Sequence, residues 1–260
     1  MKFKNIRSIA GSVQRIISRA FAQSGAKPYL VEQNGILALH FDEMSVQSEM
    51  NIDDPDQLVI GYTRAMMSFL LIDPEPGRIA MIGLGGGSIA KYCYRYLPQS
   101  EITVVEINPD VIALRREFAI PDDDKRFSVL LGDGATWVGD AEKCCDVLIV
   151  DGFDASGLPE QLSCQQFYDD CHDALSSSGI LVVNLWGGYP HYETYLQRIK
   201  TSFSDCVIVV DASDSVNKIV LAVKRMPTRP KIRRHARQLA LSHPVNFAAK
   251  SNRLISALPG

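Results

Sequence analysis

Glu106, Asp133 and Asp151 each follow an apolar run of strand length, and Gly83-Leu84-Gly85-Gly86-Gly87 lies between a strand-like and a helix-like segment. Glycine at such a junction permits a tight turn and lets a ligand approach the backbone, while the helix N-terminus offers free N–H groups and partial positive charge. Gly83, Gly85 and Gly87 are therefore candidates to hold a cofactor. Glu106 closes the next strand about 20 residues on, where a carboxylate accepts both ribose hydroxyl hydrogens and repels a 2′-phosphate. That pairing fits NAD, FAD or an S-adenosyl nucleoside. Gly132-Asp133-Gly134 and Asp151-Gly152-Phe153-Asp154 end the two strands that follow. Four successive strands thus end in ligand-type loops at one edge of a sheet, where open α/β folds bind small molecules. Like-charge repulsion among three acids costs stability, so packing alone explains them poorly, although any one Asp could be a helix cap.

These residues need a scaffold, and the chain alternates strand and helix patterns from Arg78 onward. Strands are expected at Arg78 to Ile82, Glu101 to Glu106, Ser128 to Leu131, Asp146 to Val150 and Ile180 to Asn184. Between them come helices at Ser88 to Tyr96, Pro109 to Phe118, near Ala135 and at Cys164 to Leu175. Such alternation means βαβ units and a doubly wound, mostly parallel sheet. After a helix at His191 to Phe203, Cys206 to Asp211 and Lys218 to Lys224 should close the sheet edge as an antiparallel pair. Upstream, Gln33-Asn34-Gly35 sits between two short β segments and predicts a hairpin in a small N-terminal sheet. A helix is expected from Asp56 through Leu70, ended by Asp73-Pro74-Glu75-Pro76-Gly77. That break divides residues 1–76 from a nucleoside-binding domain at 77–225, with a basic tail at 226–260.

The 46% apolar content can fill a sizeable core, and a net charge of −3 gives no general attraction to nucleic acid or an anionic membrane. The longest apolar runs have strand length and cannot span a bilayer. Six cysteines without C-x-x-C spacing read as reduced thiols of a cytoplasmic protein, and the five histidines form no ligand-spaced group, so no metal is expected. Residues 1 to about 25 combine basic and apolar residues at helical spacing and predict an amphipathic helix. The basic residues after Arg225 read as a solvated helix face.

In order and spacing these segments resemble the spermidine synthase family of polyamine aminopropyltransferases, which share the fold of S-adenosylmethionine-dependent methyltransferases. The resemblance runs from about Val31 to Lys224. It rests on Val46-Gln47-Ser48, Tyr62, Ile82 to Ser88, Val105-Glu106-Ile107, Gly132-Asp133-Gly134, Asp151-Gly152-Phe153-Asp154, Leu158-Pro159-Glu160, Leu162 and Phe167-Tyr168. It implies decarboxylated S-adenosylmethionine as co-substrate, with Glu106 on the ribose, Asp133 and Gly134 at the adenine and Gln47 closing the nucleoside site. Asp151 would take a proton from the attacking amine. Asp154 and Tyr62 would hold and orient an amine such as putrescine. A homodimer is implied as well.

Departures from the family concentrate on the amine side. Gly86 stands where the family has an Asp that grips the aminopropyl amine, and Arg64 stands where it has a Glu. Ala155 replaces a proline, and an expected glutamine is Asn184 or absent. Two other readings follow: methyl transfer from S-adenosylmethionine, or nucleoside binding without turnover. Against methyl transfer, the acid often found two positions before the first motif glycine is Met81.

Overall fold

The structure, a computed structural model, describes residues 27–42, 46–152 and 157–259. The helix expected over residues 1 to about 25 and the acceptor-binding candidate Asp154 lie outside the described residues.

Asn34 and Gly35 both adopt positive φ, 52° and 76°, as a two-residue hairpin turn requires. They join β1 (Tyr29–Gln33) to β2 (Ile36–His40), and β3 (Val46–Asn51) adds antiparallel to β2. This small sheet reaches the main domain through β3, because the Ser88 hydroxyl donates to the Glu49 carbonyl at 3.3 Å.

The main sheet contains β4 (Arg78–Ile82), β5 (Glu101–Glu106), β6 (Phe127–Leu131), β7 (Cys145–Val150), β8 (Leu175–Trp186), β9 (Val207–Asp211) and β10 (Asn217–Val223). Their order is β6-β5-β4-β7-β8-β10-β9, parallel from β6 to β8 and antiparallel at β10 and β9. Burial follows the two-residue period of a strand. Ile79, Met81, Val147, Ile149, Ile180 and Val182 face one core, while Ala80, Ile82, Leu148, Val150, Leu181 and Val183 face the other. Each buried aliphatic side chain contributes about 1.5–3 kcal/mol, so apolar residues on both faces commit the sheet to helical cover on both sides. The chain winds outward from β4 through β5 to β6, then returns to β7 on the other side of β4. That reversal opens a crevice at the carboxyl ends of β4 and β7.

Two helices are shorter than their sequence pattern suggests. The helix expected from Asp56 begins only at Gly61, runs to Met66 and tightens into a 3₁₀ turn at Met67–Leu71. The Arg64 guanidinium donates to the carbonyls of Leu58 and Val59, which holds the preceding segment outside the helix. The helix expected over Pro109 to Phe118 is regular only over Pro109–Ala113, and the turns after it end at Ala119 with φ 51°.

The last basic segment folds as two helices, Arg229–Leu239 and Phe247–Ser256. Ile232, Ala236, Leu239, Phe247 and Leu254 enter the first core, and Arg229, Lys231, Arg233, Arg234 and Arg237 face solvent.

Candidate active site

Backbone hydrogen bonds alone stitch the strand ends together at the crevice. Gly83 N–H donates to Val105 O at 2.9 Å, Asp151 N–H to Ile82 O at 2.9 Å and Gly132 N–H to Glu106 O at 3.0 Å. All four ligand-type loops therefore share one frame. Gly83 has φ 95°, and a Cβ there would lie 2.5 Å from the Asp151 carbonyl oxygen. Gly87 has φ 66° and leads into the helix Ser88–Tyr96. At Gly85, with φ 52°, a Cβ would meet only Ser48 at 3.7 Å, so the constraint there is backbone conformation rather than protein packing.

Gly86 explains the first departure from the family pattern. A Cβ at this position would stand 2.7 Å from the Ser48 hydroxyl and 2.8 Å from the Phe118 ring. Phe118 is fully buried, and the buried Lys91 ammonium donates to its carbonyl at 2.7 Å. Burial lowers the pKa of Lys91 to about 8. The space of the missing Asp side chain is thus filled by Phe118 and Ser48. Gly86→Ala should cost about 1–3 kcal/mol of stability through overpacking, read as a lower midpoint in urea denaturation.

Glu106 is 8% exposed. Its Oε2 accepts the Leu84 N–H at 2.8 Å, and its Oε1 accepts the Asn108 N–H at 2.8 Å. One carboxylate therefore ties the glycine loop to the end of β5. Each oxygen keeps a second acceptor position, which fits a ribose diol. Asp133 caps the helix Gly134–Gly139 by accepting the Thr136 N–H through Oδ1 at 2.8 Å. The helix-cap role weighed from sequence is real, and it uses only one of the two carboxylate oxygens. Gly134 is closed to side chains, since a Cβ would lie 2.3 Å from Ile82 Cγ2. Gln47, half-buried on β3, adjoins Ser48, which lies against the glycine loop.

At the end of β7, Asp151 is half-buried and holds two hydrogen bonds. The Tyr62 hydroxyl donates to Oδ2 at 3.1 Å, and the Asn184 amide donates to Oδ1 at 2.8 Å. Asn184 in turn accepts from the Asn217 amide at 2.9 Å. Burial raises the pKa of Asp151 above the usual carboxylate range, against the opposing pull of Asn184 and Tyr62. The Tyr62 pKa is raised well above its ordinary value by burial and by the Asp151 charge. Tyr62 therefore stays a donor, and Asp151 becomes a better base than a free carboxylate.

Arg64 is turned to other partners. Besides the two carbonyls, it donates to Asp214 Oδ2 at 2.8 Å, so an acid from the β9–β10 loop neutralises it. Asp214 packs against Gly61, and any side chain at position 61 would collide with its carboxylate.

The crevice thus brings together Gly83, Gly85, Gly87, Glu106, Asp133, Gly134, Asp151 and Tyr62. Sequence reasoning missed the assembly of Asn184 and Asn217 around Asp151. Ile107 and Leu131 are apolar side chains 60% and 63% exposed beside Glu106 and Gly132.

Sheet order, glycine loop and carboxylate positions define a Rossmann-like α/β protein of the methyltransferase type. In fold it is similar to a spermidine synthase solved with the transition-state analogue AdoDATO, with a TM-score of 0.68 and 18% identity, covering 90% of this chain and 86% of that one. Human methyltransferase-like protein 13 in complex with SAH is similar at a TM-score of 0.60 and 21% identity, covering 77% of this chain and 94% of that one. Residues 59–219 match the family model of the spermine/spermidine synthase domain. The chain is 37% identical over 227 residues to a polyamine aminopropyltransferase of Chromobacterium violaceum, covering 86% of this chain and 87% of its relative. It is 38% identical over 221 residues to one of Neisseria meningitidis, covering 83% and 84%. The chain belongs to the spermine/spermidine synthase family.

Proposed function

We propose that this protein is an aminopropyltransferase that moves the aminopropyl group of decarboxylated S-adenosylmethionine to a di- or polyamine such as putrescine. The observation that carries the reading is the Tyr62–Asp151 pair, set at the carboxyl end of β7 beside the glycine loop. The names of its relatives point the same way. Glu106 takes the ribose hydroxyls, Asp133 and Gly134 face the adenine, and Gln47 closes the nucleoside from the β3 side. Asp154 supplies a second carboxylate for the acceptor. Because Arg64 is paired with Asp214, its charge is spent away from the amine.

An amine with a pKa near 10.4 arrives protonated at neutral pH and must lose a proton before its lone pair can attack. The raised proton affinity of Asp151 narrows the gap between donor and acceptor. As nitrogen attacks the carbon bound to sulfur, the nitrogen–carbon bond forms and the carbon–sulfur bond breaks. The proton goes to Asp151, and Tyr62 holds the carboxylate in line. A sulfonium is already a good leaving group, so positioning supplies much of the remaining acceleration.

Calorimetric titration with the two nucleosides tests this reading. Tighter binding of decarboxylated S-adenosylmethionine is expected, and tighter binding of the ordinary form contradicts it. Tyr62→Phe should lower turnover about ten-fold through loss of one hydrogen bond to a charged group. It should also move the acid limb of the pH–rate profile upward, since Asp151 loses a donor that favours its ionised form. Unchanged steady-state kinetics across pH would remove Tyr62 from the mechanism.

The protein is further proposed to be a cytosolic homodimer. Tyr29, Val31 and Val46 leave apolar side chains exposed on the small N-terminal sheet, and the six cysteines are free thiols. No helix among the described residues is long and apolar enough to cross a membrane. Sedimentation as a monomer at micromolar concentration would contradict the dimer.

A further inference from the structure

Behind Asp151 stands a pair of amides that the aminopropyl mechanism does not yet use. Asn184, near the end of β8, is 3% exposed and donates its Nδ2 to Asp151 Oδ1 at 2.8 Å. An ionised carboxylate only accepts, so the NH₂ of Asn184 must face it and the Asn184 carbonyl must face away. That carbonyl oxygen accepts the Asn217 Nδ2 at 2.9 Å. Register explains the second contact: Ile219 of β10 lies opposite Asn184, and Asn217 is its neighbour two residues back on the same face. The Asn217 amide thereby gives the outward Asn184 carbonyl a donor, while the flipped Asn184 amide would turn an oxygen toward the carboxylate.

We infer that Asn184, locked by Asn217, is the positioning residue that fixes the orientation and proton affinity of Asp151. This rests on the function proposed above. The pair holds Oδ1 from the side of β8, while Tyr62 holds Oδ2 from the helix Gly61–Met66. With both oxygens anchored, the carboxylate plane cannot rotate, and the remaining acceptor positions are presented to the crevice. Tyr62 is the titratable group that faces Asp151 among the described residues. The neighbouring positions on β4 and the glycine loop are Ile82 and Gly83, and β8 and β10 supply the two neutral amides. Asn184 cannot titrate near neutral pH, so it sets the proton affinity of Asp151 without adding a limb to the pH profile.

The sign of the effect follows from the chemistry. A donor to the ionised form lowers the pKa, and burial raises it. Removing Asn184 leaves burial less opposed, so Asp151 is protonated at higher pH and is inactive as an acceptor over a wider range. A leucine at this site keeps the volume and deletes the donor.

The test is Asn184→Leu, compared with the milder Asn217→Ala, in two readouts. Steady-state kinetics across pH should show turnover reduced about ten- to a hundred-fold, as loss of a hydrogen bond to a charged group requires. The acid limb should move to higher pH, and nucleoside affinity should stay the same. Carboxyl-carbon NMR of the ligand-free protein should show Asp151 titrating at higher pH in Asn184→Leu, and shifted in the same direction but less in Asn217→Ala. The NMR readout stands apart from turnover: a shift in a protein that transfers no aminopropyl group would sink the proposed function and leave the positioning role intact. Should the leucine variant fail to fold, Asn217→Ala alone carries both readouts. An unmoved Asp151 titration with an unmoved acid limb, in whichever variant folds, overturns the inference.

Discussion

Asp151→Asn should lose about 10²- to 10⁴-fold in turnover while binding nucleoside as the wild type does, the span expected for a positioned acid or base. Asparagine keeps the shape and can still accept from Asn184 through its carbonyl oxygen, so the crevice should persist. It removes the charge and the basicity, and an acceptor amine then has no local group to take its proton. Loss of activity through unfolding is separable because burial raises the Asp151 pKa in the folded state. A carboxyl with a raised folded pKa contributes stability below its unfolded pKa and loses it as pH rises through the folded one. At neutral pH the ionised Asp151 is therefore a burden on the fold, and the neutral Asn should leave the thermal midpoint unchanged or higher. Near-normal turnover, or a collapse of the midpoint matching the loss of rate, would each count against Asp151 as the proton acceptor.

Glu106→Gln should weaken nucleoside binding about ten- to a hundred-fold in calorimetry. Both carboxylate oxygens accept backbone N–H groups, from Leu84 and Asn108. An amide has one acceptor oxygen, so its NH₂ must face one of those donors and leaves a buried N–H unpaired at about 1–3 kcal/mol. The same substitution removes the charge that strengthens the ribose contacts. The glycine loop should loosen with it, visible as faster amide exchange at Leu84. Unchanged affinity would place the ribose elsewhere.

Much of this site was legible because its signals are local. Asn34-Gly35 forces a hairpin by backbone conformation alone. The glycine loop and the acids at 106, 133 and 151 are fixed by their distance from the ends of apolar strands, which burial period makes visible. What stayed hidden depends on contacts between distant segments. The late start at Gly61 follows from Arg64 and its capture of the Leu58 and Val59 carbonyls, a tertiary choice that helical periodicity cannot foresee. Asn184 and Asn217 meet only because β10 runs antiparallel to β8 in one register, 33 residues apart. A slip by one residue would turn the amides to opposite faces. The glycine at 86 reads as a lost binding group in sequence, yet in three dimensions it is the space that Phe118 occupies.

Aminopropyl transfer can be read out by mass spectrometry of a single reaction mixture. Purified protein is incubated with putrescine and equal amounts of decarboxylated and ordinary S-adenosylmethionine. The expected products are putrescine extended by one aminopropyl unit and methylthioadenosine in equal amount, with the ordinary nucleoside left intact. Methylated amine with S-adenosylhomocysteine, and no aminopropyl product, would contradict aminopropyl transfer.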